Sequence, residues 1–183
     1  MQLLSCIALF FIMMYVIYTF NKLLNLNNKV NLSFAQIETL LKRRYDLIDN
    51  MLDILGEYIK HEKALFDDLS YARTKANSAL LIINSQVSKS KNLINDFNAA
   101  EQLLINHLVS IDVAIEKYPD IKASRKFKDL SDQLIFTENL IAYSRASYNA
   151  SVLDFNVYKQ SFPQVVFSSV LGYTKDASPL SFK

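Results

Sequence analysis

Hydrophobic residues in this chain recur at intervals of seven, in four separate stretches. Phe34, Leu41, Ile48 and Leu55 form one row, and Val30, Ile37, Arg44, Met51 and Tyr58 a second, so that both lie along one seam of a helix. Asn28 or Asn31 suits its N-cap. The segment Gly56-Glu-Tyr-Ile-Lys-His61 is the expected break, because glycine weakens a helix interior by about 1 kcal/mol relative to alanine. Without that break the pattern yields three long helices. A second helix is expected over about 62–87, with Leu65, Leu69, Ala72, Ala76, Ala79 and Ile83 on its seam. The alanines admit a close neighbour, and the polar stretch from Ser85 to Asn92 reads as a connection or as a polar end of the helices. A third helix is expected over about 93–118, with Phe97, Leu104, Ile111 and Tyr118 in one row and Ile94, Glu101, Leu108 and Ile115 in the other. Pro119 ends it, since the residue before a proline is pushed out of helical geometry. Asp120 or Ser124 suits the cap of a fourth helix, which carries Phe127, Leu134, Ile141, Tyr148 and Phe155 and stops at Pro163. No strand alternation or glycine turn pairs appear. The pattern predicts an all-α chain forming an antiparallel up-and-down four-helix bundle of long helices.

Ahead of the bundle, Leu3 to Phe20 is 18 residues without a charge. At 1.5 Å per residue it covers roughly 27 Å, the length of a transmembrane helix. Tyr15 and Tyr18 sit near its downstream end, where amphipathic rings favour the headgroup layer. A cleaved leader would carry a basic start and a small-residue cleavage site after the apolar run, and neither is present. Leu3-Leu4-Ser5-Cys6 resembles a lipoprotein box but precedes the run. The expected organisation is therefore an anchor and linker at 1–27, a bundle at 28–163 and a tail at 164–183. Lys22 and Lys29 follow the span and no basic residue precedes it, which places a short N-terminus outside and the C-terminal domain in the cytoplasm. The tail opens with Val165-Val166-Phe167 and continues to Leu171-Gly172-Tyr173. It reads as an apolar strap on the bundle end, or as a membrane or partner contact.

Composition narrows the chemistry. Two glycines cannot build phosphate loops, and one cysteine, Cys6, excludes an internal disulfide or a cysteine-rich zinc site. A net charge of +2 shows no basic excess for nucleic acid. His61-Glu62 begins like a zinc-protease helix, but position 65 is Leu65 and the other histidine is His107. Neither histidine has a glutamate three residues before it, as a di-metal carboxylate bundle requires. No nucleophile elbow is present. The expectation is no catalytic residue, no metal and no cofactor. What remains is charge at seam positions: Arg44 and Glu101 stand where the heptads call for apolar side chains. Either Arg44 snorkels at the rim, or it lies inside the bundle and fixes register by pairing with Glu101 or Glu138. Arg145, seven residues after Glu138, is on the same face and a candidate for the same network. Lys42-Arg43-Arg44 is a solvated basic face, or a lipid contact if that turn lies near a membrane.

These residues fall in segments similar to those of the LemA family of bacterial membrane proteins. The resemblance rests on Leu41-Lys-Arg-Arg-Tyr-Asp-Leu-Ile-Asp-Asn50, Gly56 and Tyr58 with His61-Glu62, and Tyr118-Pro-Asp-Ile-Lys-Ala123. It continues through Thr137-Glu-Asn139 with Ala142 and Arg145, Tyr148-Asn149, and Ser161-Phe-Pro163. Order and spacing fit across about 30–173. Asp49 departs from a common proline and Ser144 from valine or alanine. The resemblance implies one span in the bacterial inner membrane and a helical bundle inside. A relative in magnetosome-forming bacteria, associated with making the organelle membrane, implies membrane organisation by analogy. Two function classes follow. One is a scaffold that self-associates or binds other envelope proteins; the other is a sensor or adaptor that passes a signal from the membrane through the bundle. A helix continuous from span to bundle favours the second, and a break at Asn25 to Asn28 the first.

Overall fold

The structure, a computed structural model, describes residues 2–58, 63–85, 91–170, 172–173 and 176–182. Among these there are six helices and no strand: α1 Gln2–Tyr58, α2 Lys63–Ser85, α3 Lys91–Ile115, α4 Pro119–Ala123, α5 Arg125–Gln160 and α6 Gln164–Val170. Four of them, α1, α2, α3 and α5, make the bundle. The expected seam residues of α1, α3 and α5 are buried or half-buried wherever their side chains are described, as are those of α2, where Leu80 joins them.

α1 does not start at Asn28 or Asn31. It is one helix of 57 residues, about 85 Å long, and the expected boundary at 27/28 falls within it. The three asparagines at 25, 27 and 28 cost at most about 0.7 kcal/mol each in helix propensity. Burying Leu23 and Val30 on the same helix returns about 1.5–3 kcal/mol apiece, so packing outweighs propensity. Gly56 is helical too, α1 is described to Tyr58 and α2 from Lys63, and the rest of the expected break, at 59–61, lies outside the described residues. An ion pair between Asp49 of α1 and Arg73 of α2 ties the two helices together. Asp49 lies within the continuous helix α1 and supplies that carboxylate.

Pairs between α1 and α5 run in opposite directions along the two helices, as antiparallel packing requires: Lys29 with Asp154 at 3.1 Å, Ser33 with Ser151 at 3.3 Å, Phe34 with Tyr148 at 5.7 Å between ring centroids. The small buried residues Thr137 and Ser151 on α5 let the two helices approach. α3 joins α5 through α4, which has Pro119 at its first turn as the missing amide requires. Ser124 is the N-cap of α5 by backbone position, but its side chain makes no capping bond.

The tail has two parts. α6 turns back onto the end of α5, where the Ser168 hydroxyl donates to the Lys159 carbonyl at 3.3 Å, and its Phe167 ring meets Tyr15 of α1 at 5.9 Å. Residues 176–182 then run extended along α5 away from that end. Asn156 grips the backbone of Ala177 with bonds of 2.8 and 2.9 Å, and Asn149 grips Leu180 with two of 2.9 Å. Seven helical residues and three extended ones both span about 10 Å, so the two clamps match in register. Leu180 and Phe182 are buried, and Phe182 meets Phe97 edge-on at 5.6 Å. The strap expected from the sequence is thus residues 176–182, while Val165 to Phe167 belong to α6.

Candidate functional site

The seam charges meet in the middle of the bundle. Arg44 enters from α1, between Ile37 and Met51 of its row; Glu101 enters from α3, between Ile94 and Leu108; Glu138 comes from α5. One guanidinium nitrogen of Arg44 donates to Glu101 and the other donates to Glu138 at 3.1 Å. Tyr45 donates its hydroxyl to the second oxygen of Glu101. Arg44 and Glu101 are fully buried, so the rim reading of Arg44 is corrected: its charge never reaches solvent. Glu138 keeps 35% of its side chain exposed. The network carries one positive and two negative charges, and the surplus negative charge rests on the carboxylate nearest water.

The ionisation states are held by this arrangement. Burial alone would weaken the guanidinium charge, but Glu101 and Glu138 outweigh it and raise the Arg44 pKa above its ordinary value. Burial, then the charge of Glu101, raises the Tyr45 pKa, so the hydroxyl stays a donor at every physiological pH. Arg145 does not join. Its guanidinium lies 5.0 Å over the Phe182 ring and holds the strap.

Glu138 and Arg145 line a cleft of about 50 Å³ with Ile105, Ile141, Ala142 and Phe182. A small-molecule site is roughly 300–1,000 Å³, so this cleft fits water and not a substrate. Among the described residues no three His, Cys, Asp or Glu side chains gather as metal ligands. His107 is half-buried on α3, Cys6 lies exposed in the apolar run, and His61 is outside the described residues. Lys42 pairs with Glu38 at 2.6 Å on the solvent side. It stands 22 residues past Phe20, about 33 Å along the helix axis, several times the ~8 Å screening length, so Lys42 and Arg43 form a solvated face while Arg44, the third member of the basic run, is buried.

Two features escaped the sequence reading. One is the set of asparagines that clamp the strap. The other is a second seam on α5. Phe136, Tyr143 and Val157 are 56%, 77% and 55% exposed, with Ala150 completing the seven-residue spacing and Leu153 exposed beside them. Each stands two residues after a core position, about 200° around the helix, which puts the row on the face opposite the bundle. The spacing was visible in the sequence; the core row at Leu134, Ile141, Tyr148 and Phe155 masked it.

The apolar run of α1 stands clear of the bundle: of its most hydrophobic 18-residue window only 6% is buried. A family model described as LemA family matches residues 33–179. Magnetosome protein MamQ 1 of Paramagnetospirillum magneticum is 22% identical over 171 residues, covering 85% of this chain and 62% of that protein. Magnetosome protein MamQ of Magnetospirillum gryphiswaldense is 23% identical over 156 residues, covering 77% of this chain and 57% of that protein. The chain thus spans about six-tenths of the length of the curated relatives it matches.

Proposed function

The chain belongs to the LemA family, and from that premise we propose that it is a non-catalytic, single-pass membrane protein whose helical bundle is an interaction module. The α1 apolar run crosses the bacterial inner membrane, with the short N-terminus outside and the bundle in the cytoplasm, on the positive side set by Lys22 and Lys29. A reporter active only outside the cytoplasm, fused after Lys183, is silent on this topology; activity there reverses it.

The observation that carries the interaction reading is the exposed α5 row. The seams of α1, α2 and α3 are consumed by the bundle, whereas Phe136, Tyr143, Leu153 and Val157 are free to receive another helix. The buried Arg44 network supports the same reading, since it fixes how three helices stack and so keeps that row in one geometry. The partner is a second copy of the chain or another envelope protein, and the process is membrane organisation, in line with relatives named as magnetosome proteins. Phe136→Glu with Tyr143→Glu tests it. These surface changes should alter folding stability by only about 0.5 kcal/mol each, yet reduce assembly size or partner recovery in gentle detergent. Unchanged association refutes the row's role.

A sensor or adaptor is the second reading, and α1 favours it. The helix runs without interruption from span to bundle, with Thr19 and Leu23 already buried, so a rotation or shift of the span reaches Arg44 through one rigid element. Inserting two glycines after Leu26 discriminates: a scaffold keeps its partners, and a transmitter loses its response.

A further inference from the structure

α6 is amphipathic in place. Gln164, Phe167 and Ser168 face the protein: the Gln164 amide bonds the Tyr15 hydroxyl at 3.1 Å and Phe167 packs on the same tyrosine. Val165, Val166 and Val170 face outward and are exposed, and Phe162 just before the helix is 84% exposed. No charged residue lies between Phe162 and Val170. What covers this face follows from its position on α1. Tyr15 lies inside the apolar run, five residues before its last member Phe20 and seven before Lys22. Five residues are about 7–8 Å along the helix axis. An amphipathic helix lying in a membrane interface buries its apolar face about 5–10 Å below the headgroups. The two depths coincide.

We infer that α6, with Phe162, is a membrane-interface wedge: it lies beside the span in the leaflet nearest the bundle and turns its apolar face to the lipid acyl chains. The inference rests on the proposed transmembrane reading of the α1 run. The span and wedge together grip the bilayer at two points. The strap at 176–182 follows five residues after the wedge, and Lys159 of α5 pairs with its first residue, Asp176, at 2.5 Å. The wedge is therefore coupled to the bundle from both of its ends, through α5 before it and the strap after it.

The test uses full-length protein in phosphatidylcholine liposomes, with Cys6→Ser as background and one cysteine at a time carrying an environment-sensitive fluorophore. Lipids brominated on the acyl chain should dim the label at Val166→Cys and at the span position Phe11→Cys, and aqueous iodide should dim only the label at Asp68→Cys on α2. Bromines near the glycerol end of the chain should quench Val166→Cys more than bromines near the methyl end. If Phe11→Cys is quenched by brominated lipid and Val166→Cys is not, the wedge is overturned and the span stands. If Phe11→Cys also escapes, the spanning reading itself fails. Shielding of Val166→Cys from iodide without bromine quenching means that protein covers the face, which also overturns the wedge. Phe162→Cys, outside any helix, repeats the measurement should Val166→Cys lose helicity by circular dichroism.

Discussion

Removing the Arg44 side chain is the sharpest perturbation of the bundle interior. In the intact protein the guanidinium neutralises Glu101, and both groups are fully buried. Arg44→Ala strands the Glu101 carboxylate with only the Tyr45 hydroxyl as a donor. Breaking one partner of such a buried pair costs about 3–5 kcal/mol. For a domain of this size each kcal/mol shifts Tm by about 2–4 °C, so the expected fall is roughly 6–20 °C. The Glu138 arm is different. Its carboxylate is one-third exposed, and Glu138→Gln should cost no more than about 1 kcal/mol after screening by solvent. Replacing both buried partners, Arg44→Met with Glu101→Leu, removes the stranded charge and should recover most of the loss, because desolvation of the native pair offsets much of its attraction. The assay is denaturant unfolding of the detergent-solubilised protein followed by circular dichroism, as a double-mutant cycle. A cost below about 1 kcal/mol for Arg44→Ala, or additive costs in the cycle, refutes the reasoning.

The remaining expectations concern the strap and its neighbours. Burial raises the Tyr148 pKa to about 12, while its hydroxyl donates to the Ser178 carbonyl at 3.0 Å. Because the folded pKa is raised, this contribution is complete below pH 10 and is lost as pH climbs through about 12. The Tyr148→Phe protein should therefore unfold less steeply than the parent over that window in pH-jump measurements. Asn149→Ala and Asn156→Ala each orphan a strap donor and acceptor, and each should cost about 1–3 kcal/mol, read as faster hydrogen exchange at Ala177 and Leu180. Hydrogen bonds from Lys159 and Gln160 lower the pKa of Asp176. Its contribution is present above the ordinary carboxylate value and fades as pH falls through the lowered one, so proteolytic release of the tail should speed up in acid. Deleting Gln164 to Lys183 removes both wedge and strap and should lower Tm, since Leu180 and Phe182 are core residues; an unchanged Tm contradicts the strap.

Heptad positions made the four bundle helices legible because helix-on-helix packing repeats every two turns and leaves a periodic trace. Arg44 and Glu101 were legible for the same reason, as charges interrupting that trace, and both carboxylates considered for Arg44 proved to be its partners. The unbroken α1 was not, because propensity at Asn25 to Asn28 argued for a break and only the burial of Leu23 shows what overrides it. The strap was only half legible. An extended segment held by Asn149 and Asn156 has no period of its own, and its binding depends on side chains on another element. Arg145 was misassigned because sharing a face with Glu138 does not fix a side chain's partner: Arg145 packs over the ring of Phe182, which belongs to the strap and has no heptad position to announce it.

The central claim is that the bundle meets a partner through the exposed face of α5 while α1 holds it at the membrane. A photo-crosslinking residue at position 143, in intact cells, followed by mass spectrometry of the membrane fraction, tests it most directly. The account predicts adducts to a second copy or to another envelope protein from position 143, and none from position 68 on α2. Equal labelling at both positions, or no protein adduct at 143, contradicts it.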